Sequence, residues 1–235
     1  MAKVAGRGFS FKQFTVMQDM CAMKVGTDGC LLGAWAQAPD VVAGIPVRIL
    51  DIGTGTGLIS LMLAQRFPDA AVTALDIDEA AVRQAEINIA ASPFAARVTA
   101  VQGAVQNYSG IFNMIVSNPP FFVDALECPD DRRTMARHTS TLSYHELMHA
   151  AYRMLDADGE LSLIIPFDYR QRLESEAAIV GFHLHRSCQV FTSVKRPPKR
   201  FLLSFTKKQL PVVTGSLLID SEEFRTLLKN FYLHF

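Results

Sequence analysis

Val47-Arg48-Ile49-Leu50-Asp51-Ile52-Gly53-Thr54-Gly55-Thr56-Gly57-Leu58 runs from an apolar strand into glycines at alternate positions, and then into a stretch with the composition of a helix. Glycine has no Cβ, so a turn of this kind can reverse sharply and bring its backbone close to a ligand. The strand is read over Val47–Ile52 and the helix over Leu58–Phe67, where Pro68 stops it. Downstream, Ala71–Leu75 reads as a second strand. Glu79–Ala91 follows with Ala80, Val82, Ala85, Ile87 and Ile89 near helical spacing. Val98–Val101 and Ile111–Val116 add strands, Leu142–Leu155 a helix, Glu160–Ile165 a further strand and Phe167–Val180 another helix. His183–Phe191 and Phe201–Thr206 close the series with no helix between them. Such alternation predicts an α/β fold: a doubly wound, mainly parallel sheet of seven strands, covered on both faces, with an antiparallel edge hairpin. Residues 1–39 precede the first unit. Residues 40–235 form the sheet domain and end in an amphipathic helix over Ser221–Phe235.

The chain has 235 residues, 49% of them hydrophobic and 20% charged, which suits one well-cored domain and excludes a disordered chain. The formal net charge is zero, so global charge announces no polyanionic partner. The distribution is uneven. Between Ala177 and Ile219 there is no Asp or Glu, while Arg186, Lys195, Arg196, Lys199, Arg200, Lys207 and Lys208 all fall there. Taken alone, that run reads as a solvated face. Cys21, Cys30, Cys128 and Cys188 form no CxxC pair and no zinc-like spacing, so they read as reduced thiols and no metal is expected. No apolar leader and no stretch of about 18 uninterrupted apolar residues is present, which predicts a soluble cytoplasmic protein.

A dinucleotide fingerprint, G-x-G-x-x-G, would need glycine at position 58, where the chain has Leu58. This argues against a nicotinamide-dependent oxidoreductase. The D-x-G-x-G-x-G form of Asp51, Gly53, Gly55 and Gly57 resembles class I S-adenosylmethionine-dependent methyltransferases, a Rossmann-like family whose loop holds the methionine part of the cofactor. Asp76 ends the second strand about one βα unit downstream, the geometry that hydrogen-bonds ribose hydroxyls. Asp76 and Ile77 are therefore cofactor-binding candidates, while Asp78 reads equally as the N-cap of the next helix. After the third strand, Val101-Gln102-Gly103-Ala104-Val105 has no acid to accept from the cofactor's adenine, which leaves Gln102 or the Ala104 backbone.

Asn118-Pro119-Pro120-Phe121 closes the strand Phe112–Ser117. Two prolines cannot continue a central strand, because proline has no N–H for the ladder. They make a stiff turn that projects an amide, a fixed carbonyl and an aromatic ring. N-P-P-[FY] here resembles the motif of methyltransferases that act on amino groups: adenine N6, cytosine N4 or glutamine N5. An exocyclic amine conjugated to a ring is a poor nucleophile, because its lone pair is delocalised. Accepting both hydrogens, at the Asn118 side-chain oxygen and the Pro119 carbonyl, favours sp³ character and aims the lone pair. Phe121 can stack on the base, a contact worth about 1–3 kcal/mol. The rate gain comes from alignment and fixed dipoles, and no general base is needed before attack.

The closest resemblance lies in Phe11–Asp19 and in Met23–Ala36, with further support from Ser117–Phe122, Ala136-Arg137-His138, Lys199-Arg200-Phe201 and Phe231-Tyr232. These segments resemble the bacterial tRNA1(Val) (adenine37-N6)-methyltransferase family. The resemblance implies a first segment that folds over the methionine side of S-adenosylmethionine, with Thr27-Asp28 capping a helix over Gly29–Ala38 and Thr27 as a cofactor contact. It implies an adenine beside a tRNA anticodon as the target, with Lys195, Arg196, Lys199 and Arg200 in a turn that contacts phosphates. Arg132, Arg133 and Arg137 would do the same near the target loop. His138 reads as a core or surface polar residue. Anticodon-loop bases are splayed at little cost, and the chain is expected to act as a monomer. The rivals are a protein glutamine N5-methyltransferase, for which Phe121 and the short first segment are poor fits, and a catalytically inactive nucleic-acid-binding relative.

Overall fold

The structure is a computed structural model and describes residues 8–21, 24–39, 46–120 and 142–234. Its elements are, in order, β1 (Gly8–Ser10), β2 (Thr15–Met17), α1 (Thr27–Trp35), β3 (Arg48–Ile52), α2 (Leu58–Arg66), β4 (Ala71–Asp76), α3 (Glu79–Ala90) and β5 (Val98–Gln102). There follow β6 (Phe112–Ser117), α4 (Tyr144–Met154), β7 (Leu155–Pro166), α5 (Arg170–Val180), β8 (His183–Phe191), β9 (Arg200–Thr206), β10 (Val213–Leu218) and α6 (Glu222–Leu228). Helix α4 begins with a capping box in which Ser143 and Glu146 bond each other's backbone, and α3 begins at Asp78, whose side chain accepts from the Ala80 N–H. Asp78 is therefore the cap that the sequence offered as one of its readings.

The main sheet has the order β10-β8-β9-β7-β6-β3-β4-β5. Strands β5, β4, β3, β6 and β7 run parallel, and β9 is antiparallel to both β7 and β8. The mainly parallel sheet and the antiparallel hairpin follow the sequence expectation, but the sheet carries eight strands where seven were read. The added strand, β10, pairs parallel with β8 and covers the hairpin's outer edge. Its residues Val213–Ser216 are exposed and include Gly215, so no apolar period marked it as a strand.

Alternate residues of each central strand enter opposite cores, as the pleat requires. Ile49, Met114 and Val116 pack with α1, α2 and α6, whereas Leu50, Ile52 and Ile115 pack with α4 and α5. Burial on both faces is why β3 and β6 read as unbroken apolar runs. Helix α1 lies close on α2: a Cβ at Gly33 would stand 2.8 Å from the Met62 sulfur.

The first segment is tied to the sheet domain by several contacts. Phe11 stacks on Phe14 with ring centroids 4.7 Å apart, and Lys12 N–H donates to the Phe231 carbonyl at 2.8 Å. Asn88, buried on α3, accepts from the Met17 N–H and donates to the carbonyls of Met17 and Thr56, each at 2.8 Å. One amide thus joins β2 to the glycine loop. The sheet order reverses between β3 and β6, so the carboxyl ends of these two strands flank the crevice where open α/β sheets bind ligands.

Candidate active site

The glycine loop leaves β3 with Gly53, Gly55 and Gly57 at φ values of 73°, 56° and 81°, the left-handed region that disfavours other residues. A Cβ placed on Gly53 or Gly55 would meet nothing within 4 Å, so the space over this backbone is open. Gly57 is turned inward against Ala85 of α3. The loop is held by bonds from the Gly53 and Thr54 N–H groups to the Leu75 carbonyl, at 2.8 and 3.0 Å. Asp76 Oδ2 accepts from the Gly55 N–H at 2.8 Å, and Asp76 Oδ1 from the Asp78 N–H at 3.0 Å.

Asp51 lies beneath this loop and is fully buried. Its Oδ2 accepts from the Thr54 hydroxyl (2.7 Å), the Ser60 hydroxyl (2.8 Å) and the Ser60 N–H (3.2 Å), while Oδ1 has no partner. The sequence reading made Asp51 a cofactor contact. In the fold it is a buried post under the loop, held by its bonds to Thr54 and Ser60, and it does not line the cavity. Burial pushes its carboxyl up from 3.8 to about 6, against the hydrogen bonds, which pull it down. The native state therefore keeps a proton that the unfolded chain has lost between these values. From this group, stability is fully present below about pH 4 and is lost as the pH rises through about 6. Asp51→Asn keeps the size and an acceptor oxygen but does not ionise. Thermal midpoints measured across that window should fall more with pH for the wild type than for the variant, and parallel curves would remove this role from Asp51.

A cavity of about 410 Å³ opens beside the loop. Gly53, Thr54, Gly55 and Thr56 form one wall, and Gly26, Thr27, Asp28 and Gly29 at the start of α1 form another. Leu58 and Ile59 of α2, Asn118, Val190, Thr192, Lys199, Arg200 and Ile219 complete the lining, with Lys24. Thr27-Asp28 does not cap α1 as the sequence suggested: the cap position is Gly26, no side chain bonds it, and the helix spans Thr27–Trp35. The Asp28 carboxylate is engaged elsewhere, accepting from Arg200 Nε at 2.8 Å. Arg200 is accordingly not in the turn. It opens β9, with its side chain only 19% exposed, and Lys199 lines the cavity beside it. Lys195 and Arg196 remain in the turn and exposed.

Asn118 stands at the end of β6, next to the glycine loop, because Ser117 pairs with Ile52 and its hydroxyl donates to the Ile52 carbonyl at 2.8 Å. The Asn118 side-chain oxygen is buried and has no hydrogen-bond partner. An orphaned buried acceptor costs about 1–3 kcal/mol, and such groups mark places where a partner is supplied from outside. Pro119 is buried beside it. Asp76, Ile77 and Ala104 do not line the cavity. They form a shelf at the ends of β4 and β5, joined to the loop through the Asp76–Gly55 bond, and Ile77 there is 58% exposed. Phe121, Arg132, Arg133, Arg137 and His138 lie outside the described residues. Sequence reasoning missed Lys24, Val190, Thr192 and Ile219, which no local pattern connects to the loop.

Residues 40–180 match the family model described as methyltransferase small domain. A Bacteroides thetaiotaomicron protein named tRNA1(Val) (adenine(37)-N6)-methyltransferase is 46% identical over 235 residues, covering 96% of this chain and 97% of that protein. One of the same name from Trichodesmium erythraeum is 42% identical over 244 residues, covering 99% of this chain and all of its own length. Among solved structures, a predicted O-methyltransferase of Agrobacterium tumefaciens superimposes with a TM-score of 0.62 at 16% identity, over 83% of this chain and 90% of that one. A methyltransferase of Pyrococcus furiosus does so with a TM-score of 0.55 at 20% identity, over 76% and 80%. At these identities the solved structures speak for the fold alone. By the match to its family model and by its identity to relatives over nearly its whole length, this chain belongs to the methyltransferase small domain family, together with the bacterial proteins named tRNA1(Val) (adenine(37)-N6)-methyltransferases.

Proposed function

We propose that this chain transfers a methyl group from S-adenosylmethionine to the exocyclic N6 of an adenine in tRNA, namely adenine 37 beside the anticodon of tRNA1(Val), in the cytoplasm. The observation that carries this reading is the buried, unpartnered side-chain oxygen of Asn118, set beside an open glycine loop at the sheet's switch point.

The residues suit the donor. The space over Gly53 and Gly55 admits close approach, the start of α1 has no side-chain cap and can receive a carboxylate, and Asp76 can bond ribose hydroxyls while Ile77 packs on a base. Gln102 and the Ala104 backbone are the candidates for the cofactor's adenine. S-adenosylmethionine, when bound, supplies an electrophilic methyl group. Every other part of the reaction falls to the chain's own groups. The Asn118 oxygen and the Pro119 carbonyl accept the two amino hydrogens of the target adenine, hold that nitrogen in place and turn its lone pair toward the donor. The nitrogen's proton becomes acidic once the methyl is attached and leaves to water, so no base is required beforehand. Phe121 holds the base by stacking. Lys195, Arg196 and Lys199, with Arg133 and Arg137, neutralise RNA phosphates, and Arg200 braces the cavity wall through Asp28.

Purified protein with methyl-labelled S-adenosylmethionine should label bulk tRNA from a strain lacking the gene, and nuclease digestion should release N6-methyladenosine. Label that appears in a protein substrate, with none in tRNA, would overturn the assignment in favour of glutamine.

A further inference from the structure

We infer that Phe167 is a stacking platform for a second base of the substrate RNA, one that flanks the target adenine; this rests on the proposed function above. Phe167 is the first residue beyond the carboxyl end of β7, the strand next to β6, which carries Asn118. The residue is 41% exposed, and its ring lies nearly parallel to that of buried Phe201, with centroids 5.6 Å apart and an interplanar angle of 20°. The Arg170 guanidinium sits 4.4 Å from the centroid of Phe201. Phe167 N–H donates to the Lys199 carbonyl at 3.2 Å, and Lys199 lines the cavity that contains Asn118. An aromatic ring is thus backed on one side, left open to water, and tied by its backbone to the wall of the methyl-transfer cavity.

A single exposed aromatic needs no explanation by itself. The charge around this one identifies its partner. Lys195, Arg196 and Lys199 are exposed in the segment between β8 and β9, which leads up to the Lys199 carbonyl, within a stretch from Ala177 to Ile219 that has no acid. The neighbouring carboxylate, Asp168, is exposed to water. A fixed aromatic face beside a line of cations is the arrangement that binds single-stranded nucleic acid, because every base offers a π-face and every linkage a negative charge. Such a platform also serves the proposed reaction. Drawing adenine into the cavity takes it off both of its neighbours in the loop, and a ring beside the cavity mouth replaces one of the lost stacks.

The test compares Phe167→Ala, Phe167→Leu and Phe167→Tyr with the wild type. Each binds a fluorescent anticodon stem-loop RNA without methyl donor, and each is assayed for S-adenosylmethionine affinity and for KM toward tRNA. Leucine still fills the space against Phe201 but has no π-face. The Ala and Leu variants should bind RNA on the order of ten-fold more weakly and raise KM for tRNA in proportion, Tyr should stay close to wild type, and cofactor affinity should be the same in all four. RNA affinity in Phe167→Leu equal to wild type would reduce the ring to packing and overturn the inference, as would a Tyr variant as weak as Ala. If the wild type methylates tRNA and every variant matches it, the inference falls while the proposed function stands. If the wild type leaves tRNA unlabelled, it is the proposed function that falls.

Discussion

Asn118→Ala should lower kcat on the order of a thousand-fold while leaving S-adenosylmethionine affinity within about two-fold of wild type. In the proposed reaction the cofactor meets the glycine loop, the start of α1 and the β4 shelf, and the unpartnered Asn118 oxygen is left for the amine. Because that oxygen is buried with no partner, truncation removes an unsatisfied acceptor, and the fold should lose little. The expected combination is therefore specific: a dead enzyme with an intact donor site and a thermal midpoint no lower than wild type. Single-turnover assays, calorimetric titration of the donor and thermal melts read the three quantities. Loss of donor binding along with activity would mean that the turn is structural.

Asp76→Ala should weaken S-adenosylmethionine binding on the order of a hundred-fold, with a much smaller effect on kcat once the donor is saturating. In the proposed complex Asp76 would make charge-assisted bonds to ribose hydroxyls, each worth about 1.5–3 kcal/mol. The variant also releases the Gly55 and Asp78 N–H groups that the carboxylate now holds. Asp76→Asn should not rescue it, since the amide presents a donor to one of those two N–H groups. Equilibrium titration of the donor reads this directly. Unchanged affinity in the Ala variant would leave Asp76 as a loop anchor only.

Both residues were legible in the sequence for local reasons: Asn118 follows a strand and precedes two prolines, and Asp76 ends the strand one βα unit after the glycine turn. Glycines at positive φ and a proline pair fix their own conformation, so they mark where a strand must stop and what projects there. The capping of α3 by Asp78 is equally local. Asp51 shows where local reading fails. It belongs to the same motif as the glycines, but its side chain enters the core beneath them and serves the loop. The Thr27-Asp28 cap failed because the helix already begins at Thr27, with Gly26 at the cap, and the Asp28 carboxylate bonds a guanidinium 172 positions away.

By itself, then, the sequence determined the strand–helix alternation, the glycine turn, the acid at 76 and the amide at 118, since all of these follow from apolar periodicity and from backbone restrictions within a few residues. Only the tertiary structure decided that the sheet has an eighth strand and that Asp28 and Arg200 join across the cavity mouth. It alone set Lys199, Thr192 and Ile219 in the wall that faces the glycine loop. These depend on the register and order of strands far apart in the chain, where each contact is set by the packing of the whole sheet and leaves no local periodicity to read.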